Sequence, residues 1–194
     1  RKAMTATDTT DDTPGVEFRI KESLKMDPAD VEARHVARFH ELVEDPAIFE
    51  EDRTGSGARR HFHAISDNGV LPTAKIKTPH HFHVSYVEMP PGNQVRLHAH
   101  DVPEVFIPMT GTWELYYGDE GEHCVALNPL DTFSVPVGVM RTFKNVGLTT
   151  ALIMVIYDSP GDVMGKIFYG PNQTDEIREM FETSGRKITI THED

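Results

Sequence analysis

The chain has 194 residues and carries 31 acidic against 19 basic side chains, a net charge of −12 with the histidines neutral; a surface of that sign repels phosphate backbones, so no nucleic-acid partner is expected. The longest apolar run, Ala151 to Tyr157, is far short of the ~20 residues a membrane-spanning helix needs, and no secretory series of charged, apolar and small residues is found, so no membrane partner is expected. The single cysteine, Cys124, excludes an intramolecular disulfide and fits a reducing, cytoplasmic setting, while the length suits one domain with modest extensions.

Residues 1–15, rich in Thr and Asp and closing on Pro14-Gly15, read as a flexible tail. An N-terminal extension over 16–80 follows, with a helix expected at about Asp27 to Glu44. Asp27 can cap it, Pro28 suits its first position, Asp30 sits well in its first turn, and Val36, Phe39 and Val43 make one apolar stripe. From about residue 60, short apolar or alternating runs are separated by Gly, Pro, Asn and Asp. The strands expected are His83 to Met89, Gln94 to His100, Glu104 to Met109, Thr112 to Tyr117, His123 to Leu127, Thr132 to Val135, Arg141 to Asn145 and Thr150 to Tyr157. Such a series argues for an antiparallel sandwich or barrel over 81–160. Pro108 marks an edge, a bulge or a strand end. A C-terminal extension, 161–194, carries a short helix expected at about Thr174 to Thr183 and an alternating stretch from Lys187 to Thr191.

Three His-x-His pairs occur, His61/His63, His81/His83 and His98/His100. Residues two apart on a strand face the same way, so each pair can offer two imidazoles to one ion. Only His98/His100 is followed, after a three-residue turn, by a carboxylate at the start of the next strand, Glu104. That hairpin would set one acid beside two imidazoles, a donor set suited to a divalent transition metal with positions left open. Glu88 follows His83 by an odd number of residues and should face the other way. Arg59 and Arg60 give His61/His63 the look of a surface. Trp113, Leu115 and Tyr117 share one strand face and suit core packing; Cys124 reads as a strand residue.

Gly92, His98, His100, Glu104 and Gly111 fall at G-x5-H-x-H-x3-E-x6-G without deviation. This resembles the first signature of the cupin superfamily. Pro136, Gly138 and Asn145 match the second, but Leu130 stands where a glycine is usual and Arg141 where a histidine is usual. The resemblance implies a mainly β fold, a single antiparallel cupin barrel (double-stranded β-helix or jelly roll) with an N-terminal helix and a short C-terminal helix. It also implies His98, His100 and Glu104 as ligands of one divalent metal, Fe(II) first and Mn, Ni or Zn behind it. A homodimer is a further expectation from the resemblance.

Arg141 cannot ligate, since a guanidinium stays charged. Three arrangements follow. The metal sits on three protein ligands and Arg141, as a catalytic residue, clamps an anionic or enolised substrate; or the metal is lost and His98, His100, Glu104 and Arg141 form a polar network with a Glu104–Arg141 ion pair; or His61, His63, His81 or His83 supplies the missing ligand. The function implied is a metal-dependent enzyme acting on a small organic substrate, a dioxygenase-type oxidoreductase. The alternatives are a non-enzymatic small-molecule-binding cupin without metal and a metal-dependent isomerase or lyase.

Overall fold

The computed structural model describes residues 26–45, 55–66, 71–78, 80–158 and 167–169. The tail over 1–15, the helix from Thr174 to Thr183 and the stretch from Lys187 to Thr191 lie outside the described residues. The expected N-terminal helix starts as read, with the Asp27 carboxylate accepting from the Ala29 N–H and Pro28 at the first helical position. It ends early: α1 covers Pro28–His35 rather than running to Glu44. None of its residues is buried, so no packed face extends it. At Val36 the backbone turns extended and only a single 3-10 turn, Phe39–Glu41, follows; Phe39 packs edge-on against Phe62 and Tyr86, and the Asp45 N–H bonds to the His61 carbonyl. This segment exchanges helical hydrogen bonds for contacts with the barrel.

The strands are β1 (Arg60–Ile65), β2 (Phe82–Met89), β3 (His98–His100), β4 (Glu104–Pro108), β5 (Trp113–Tyr117), β6 (His123–Leu127), β7 (Phe133–Val135), β8 (Arg141–Asn145), β9 (Ala151–Asp158) and β10 (Ile167–Tyr169). They form two five-stranded sheets, ordered β1-β2-β9-β4-β7 and β10-β3-β8-β5-β6, with every strand pairing antiparallel. The two sheets are the halves of a jelly-roll barrel, as the mainly β, antiparallel reading expects. Pro108 ends its strand. Gly111 has φ +74°, and a Cβ there would lie 2.5 Å from the Ala151 Cβ, so the turn into β5 admits only glycine without displacement.

Alternation along the strands splits the interior into two ends. Met89, Phe106, Trp113, Leu115 and Ile153 are fully buried and fill the apolar end. Trp113 and Leu115 are therefore core residues, as expected. At the other end the inward positions are polar: His83 and Ser85 on β2, Glu104 on β4, Arg141 on β8 and Tyr157 on β9 are all buried. Register holds this division in place, since Glu104 and His83 both stand opposite Tyr157 while Pro108 and Val87 stand opposite Ile153.

Candidate functional site

The run expected from Gln94 to His100 is ordered as a ladder only at its end. The Val95 N–H bonds to the Phe143 carbonyl and the Thr142 hydroxyl to the Val95 carbonyl, so the segment is tied to β8 without forming a strand until His98. There His98 registers with Arg141. The connection over Asp101, Val102 and Pro103 is not the hairpin expected: β3 belongs to one sheet and β4 to the other. The three residues cross from one sheet to the other with Val102 buried and Pro103 exposed, and Glu104 reaches the imidazoles from the opposite sheet. Convergence survives the different route, with ligand atoms of His98, His100 and Glu104 all within 4.8 Å of one another.

The hydrogen bonds set which atoms face the centre. His98 Nδ1 lies 2.7 Å from the Arg96 carbonyl, which can only accept, so Nδ1 carries the proton and Nε2 keeps its lone pair. Burial and the nearby Arg141 charge push His98 down to about 3, so the ring is neutral at ordinary pH. Arg141 donates twice to one oxygen of Glu104, from Nε at 2.9 Å and Nη2 at 2.6 Å, both to Oε2. Oε1 takes no part in that pair. Arg141 Nη1 turns to the carbonyls of Val139 and His98 at 3.3 and 3.5 Å. The guanidinium is 1% exposed; burial lowers its pKa and the Glu104 carboxylate raises it. Arg141 thus stands behind Glu104 and forms the ion pair of the second arrangement. A neutral imidazole with its lone pair inward, a second imidazole and a carboxylate with one oxygen outside the ion pair are chemically a fitting donor set for a divalent ion.

These groups open on a cleft with roughly 530 Å³ of atom-free space, part of it solvent. Its walls mix Val87, Val95, Phe143 and Val155 with His61 and Tyr157. The surface reading of Arg59 and Arg60 needs correction. Arg60 is exposed and pairs with Glu44 and Glu88, but Arg59 and His61 line the cleft, and Arg59 Nε lies 3.1 Å from His61 Nε2. Two-residue alternation sends Arg59 and His61 inward past Arg60, a signal present in the sequence but masked by the paired arginines. His63 and His83 are fully buried, and Glu88 faces away from His83 as expected. Among the described residues no metal-competent group of three joins these histidines to the centre. Arg96 lies outside, exposed, its guanidinium over the Tyr169 ring. Cys124 is exposed on β6, and slight desolvation together with the nearby Glu114 carboxylate raises its thiol pKa, away from the reactive form. No helix among the described residues is long and apolar enough to cross a membrane.

No protein-family profile and no curated protein matches the sequence. Among solved structures, the chain is similar to a DMSP lyase at 14% identity and TM-score 0.51, over 66% of this chain and 62% of that one. It is similar to a cupin 2 domain-containing protein from Halorhodospira halophila at 18% identity and TM-score 0.50, over 75% and 90% of the two chains. It is also similar to the polyketide cyclase RemF from Streptomyces resistomycificus at 14% identity and TM-score 0.51, over 73% and 92%. The chain spans under two thirds of the lyase's length. At these identities the likeness is one of fold.

Proposed function

From the premise that this chain has the cupin fold, we propose that it is a metal-dependent enzyme acting on a small organic molecule, with His98, His100 and Glu104 holding one divalent ion. The observation that carries this reading is the convergence of those three donors within 4.8 Å at the floor of a cleft. A divalent ion held there would supply Lewis acidity and, as Fe(II), the dioxygen chemistry for which two histidines and a carboxylate are suited, with Mn, Ni and Zn behind it.

The chain's own residues do the rest. The Arg96 carbonyl fixes the His98 tautomer with Nε2 inward. Arg141 holds Oε2 of Glu104 and so positions the carboxylate rather than touching substrate. Val87, Val95, Phe143 and Val155 give the cleft an apolar wall that selects a substrate with an apolar body. A dioxygenase-type oxidation is the finer proposal, resting on the donor set alone.

A second reading has one observation behind it. The Glu104–Arg141 pair already compensates the buried carboxylate, as a metal-free binding protein would need. Calorimetric titration of metal-depleted protein with Zn(II) and Mn(II) separates the two. One equivalent bound by the wild type and lost in both His98→Ala and Glu104→Gln supports the metal site; no saturable binding by folded wild type supports the metal-free reading.

A further inference from the structure

A second set of polar groups runs across the inner face of the β1-β2-β9 sheet, and the metal centre does not use it. Asp45 Oδ2, which accepts from the Thr73 hydroxyl at 3.0 Å, lies 3.6 Å from His63 Nε2. His63 Nδ1 lies 2.8 Å from Ser85 Oγ, and Ser85 Oγ lies 3.5 Å from the Tyr157 hydroxyl, the longest step. His63, Ser85 and Tyr157 are 1%, 3% and 7% exposed. Tyr157 lines the cleft and stands opposite Glu104 in register, so the series begins at a carboxylate near the surface and ends beside the three donors. Burying this many polar groups in a small barrel is unfavourable unless they bond to one another.

The direction of the hydrogen bonds follows from what each group can do. Burial, with His61 and His83 nearby, pushes His63 down to about 4 against the opposing pull of Asp45, so the ring is neutral and carries one N–H. Among the described residues Nε2 has no partner within hydrogen-bond distance, but the Asp45 carboxylate 3.6 Å away repels a lone pair and attracts an N–H, so charge places that N–H on Nε2. Nδ1 then accepts from the Ser85 hydroxyl, and the Ser85 oxygen accepts from the Tyr157 hydroxyl. Burial raises the Tyr157 pKa, which keeps it a hydroxyl. With its proton turned inward to Ser85, Tyr157 presents a lone pair to the cleft.

On the reading above that the cleft holds a small molecule, we infer that Asp45, His63 and Ser85 orient Tyr157 as the acceptor for a hydroxyl or N–H donor on that molecule. The ligand class is a weakly acidic donor such as an enol, a phenol or a hydroxy acid. Tyr157 touches it; Ser85 and His63 are positioning residues.

Two measurements test this. Imidazole 15N spectra near neutral pH should show His63 as the neutral Nε2–H tautomer in wild type, becoming a mixture in Ser85→Ala. An Nδ1–H tautomer in wild type overturns the assignment, because Tyr157 would then donate into the cleft. Phenol and anisole, one body with and without a donor, are then titrated into metal-depleted and Zn(II)-loaded protein. Wild type should prefer phenol by about tenfold in both forms, one hydrogen bond's worth, and the preference should vanish in Tyr157→Phe and shrink in Ser85→Ala. A preference seen only with Zn(II) overturns the inference while leaving the proposed metal site standing; equal binding, or no phenol binding, also overturns it. Folding of each variant is checked by thermal unfolding, and Ser85→Ala with its tautomer readout stands as the test if Tyr157→Phe does not fold.

Discussion

Replacing Arg141 with methionine removes the cation from a pair in which Arg141 is 1% and Glu104 6% exposed. The carboxylate left behind has His100 Nε2 at 3.9 Å and loses two short bonds from the guanidinium. Breaking one side of so buried a pair costs about 3–5 kcal/mol. For a domain of this size each kcal/mol moves the melting temperature by roughly 2–4 °C, so Arg141→Met should melt about 10 °C below wild type in chelator. A divalent ion bound by Glu104 takes over the compensating charge, and no guanidinium opposes it. Saturating Zn(II) at about a hundred times its Kd should return about 2.7 kcal/mol, most of the loss. Glu104→Gln should fall by a similar amount, through a stranded Arg141, and gain little from Zn(II). Differential scanning calorimetry of the three proteins with and without Zn(II) reads this out. An Arg141→Met loss under about 1 kcal/mol would refute the buried-pair reasoning, well below the usual penalty for such a site. Equal Zn(II) shifts in all three proteins would refute the link between the pair and the metal.

Acidification should destabilise the fold before its carboxylates are protonated. His98 at about 3 and His63 at about 4 lie below the ordinary histidine value of 6.5, so between those limits the unfolded chain binds more protons and stability falls as pH drops from 6.5. Urea midpoints near pH 7, 6 and 5 should decline in that order; a flat series contradicts it. Asn145 is fully buried and bonds to the carbonyls of Met89 and Thr149 and the Gly147 N–H, so Asn145→Ala strands three backbone groups and should cost about 2–4 kcal/mol by chemical denaturation. Leu130, 75% exposed, holds φ +74°, and Leu130→Gly should stabilise by up to about 1 kcal/mol, whereas Gly111→Ala, with its 2.5 Å clash, should destabilise by about 1–3 kcal/mol.

Much of the barrel was legible because turn residues bracket alternating runs. The bounds of β6 and β8 are those read from the sequence, His123 to Leu127 and Arg141 to Asn145. Leu130 shows how a departure from a family pattern carries physics, since it occupies a left-handed position where the pattern has glycine. The three donors were found from spacing, but their route was not. A short turn after His100 signals a reversal and does not say whether the next strand pairs alongside or crosses to the other sheet. The early end of α1 was hidden for a related reason: Val36, Phe39 and Val43 have helical spacing, and only the barrel contacts of Phe39 and Asp45 decide against the helix. Ser85 and Tyr157 escaped notice because a serine and a tyrosine in apolar strands read as packing; their alignment with His63 depends on cross-strand register that no single segment contains.

The central claim, that His98, His100 and Glu104 hold a divalent ion, is tested most directly by elemental mass spectrometry of protein purified without a nickel column, beside His98→Ala. About one equivalent of a transition metal in wild type and none in the variant is the result predicted. Wild type that stays metal-free even after anaerobic addition of Fe(II), Mn(II) or Zn(II) would contradict it, and would leave the Glu104–Arg141 pair as the closed polar floor of a binding cleft.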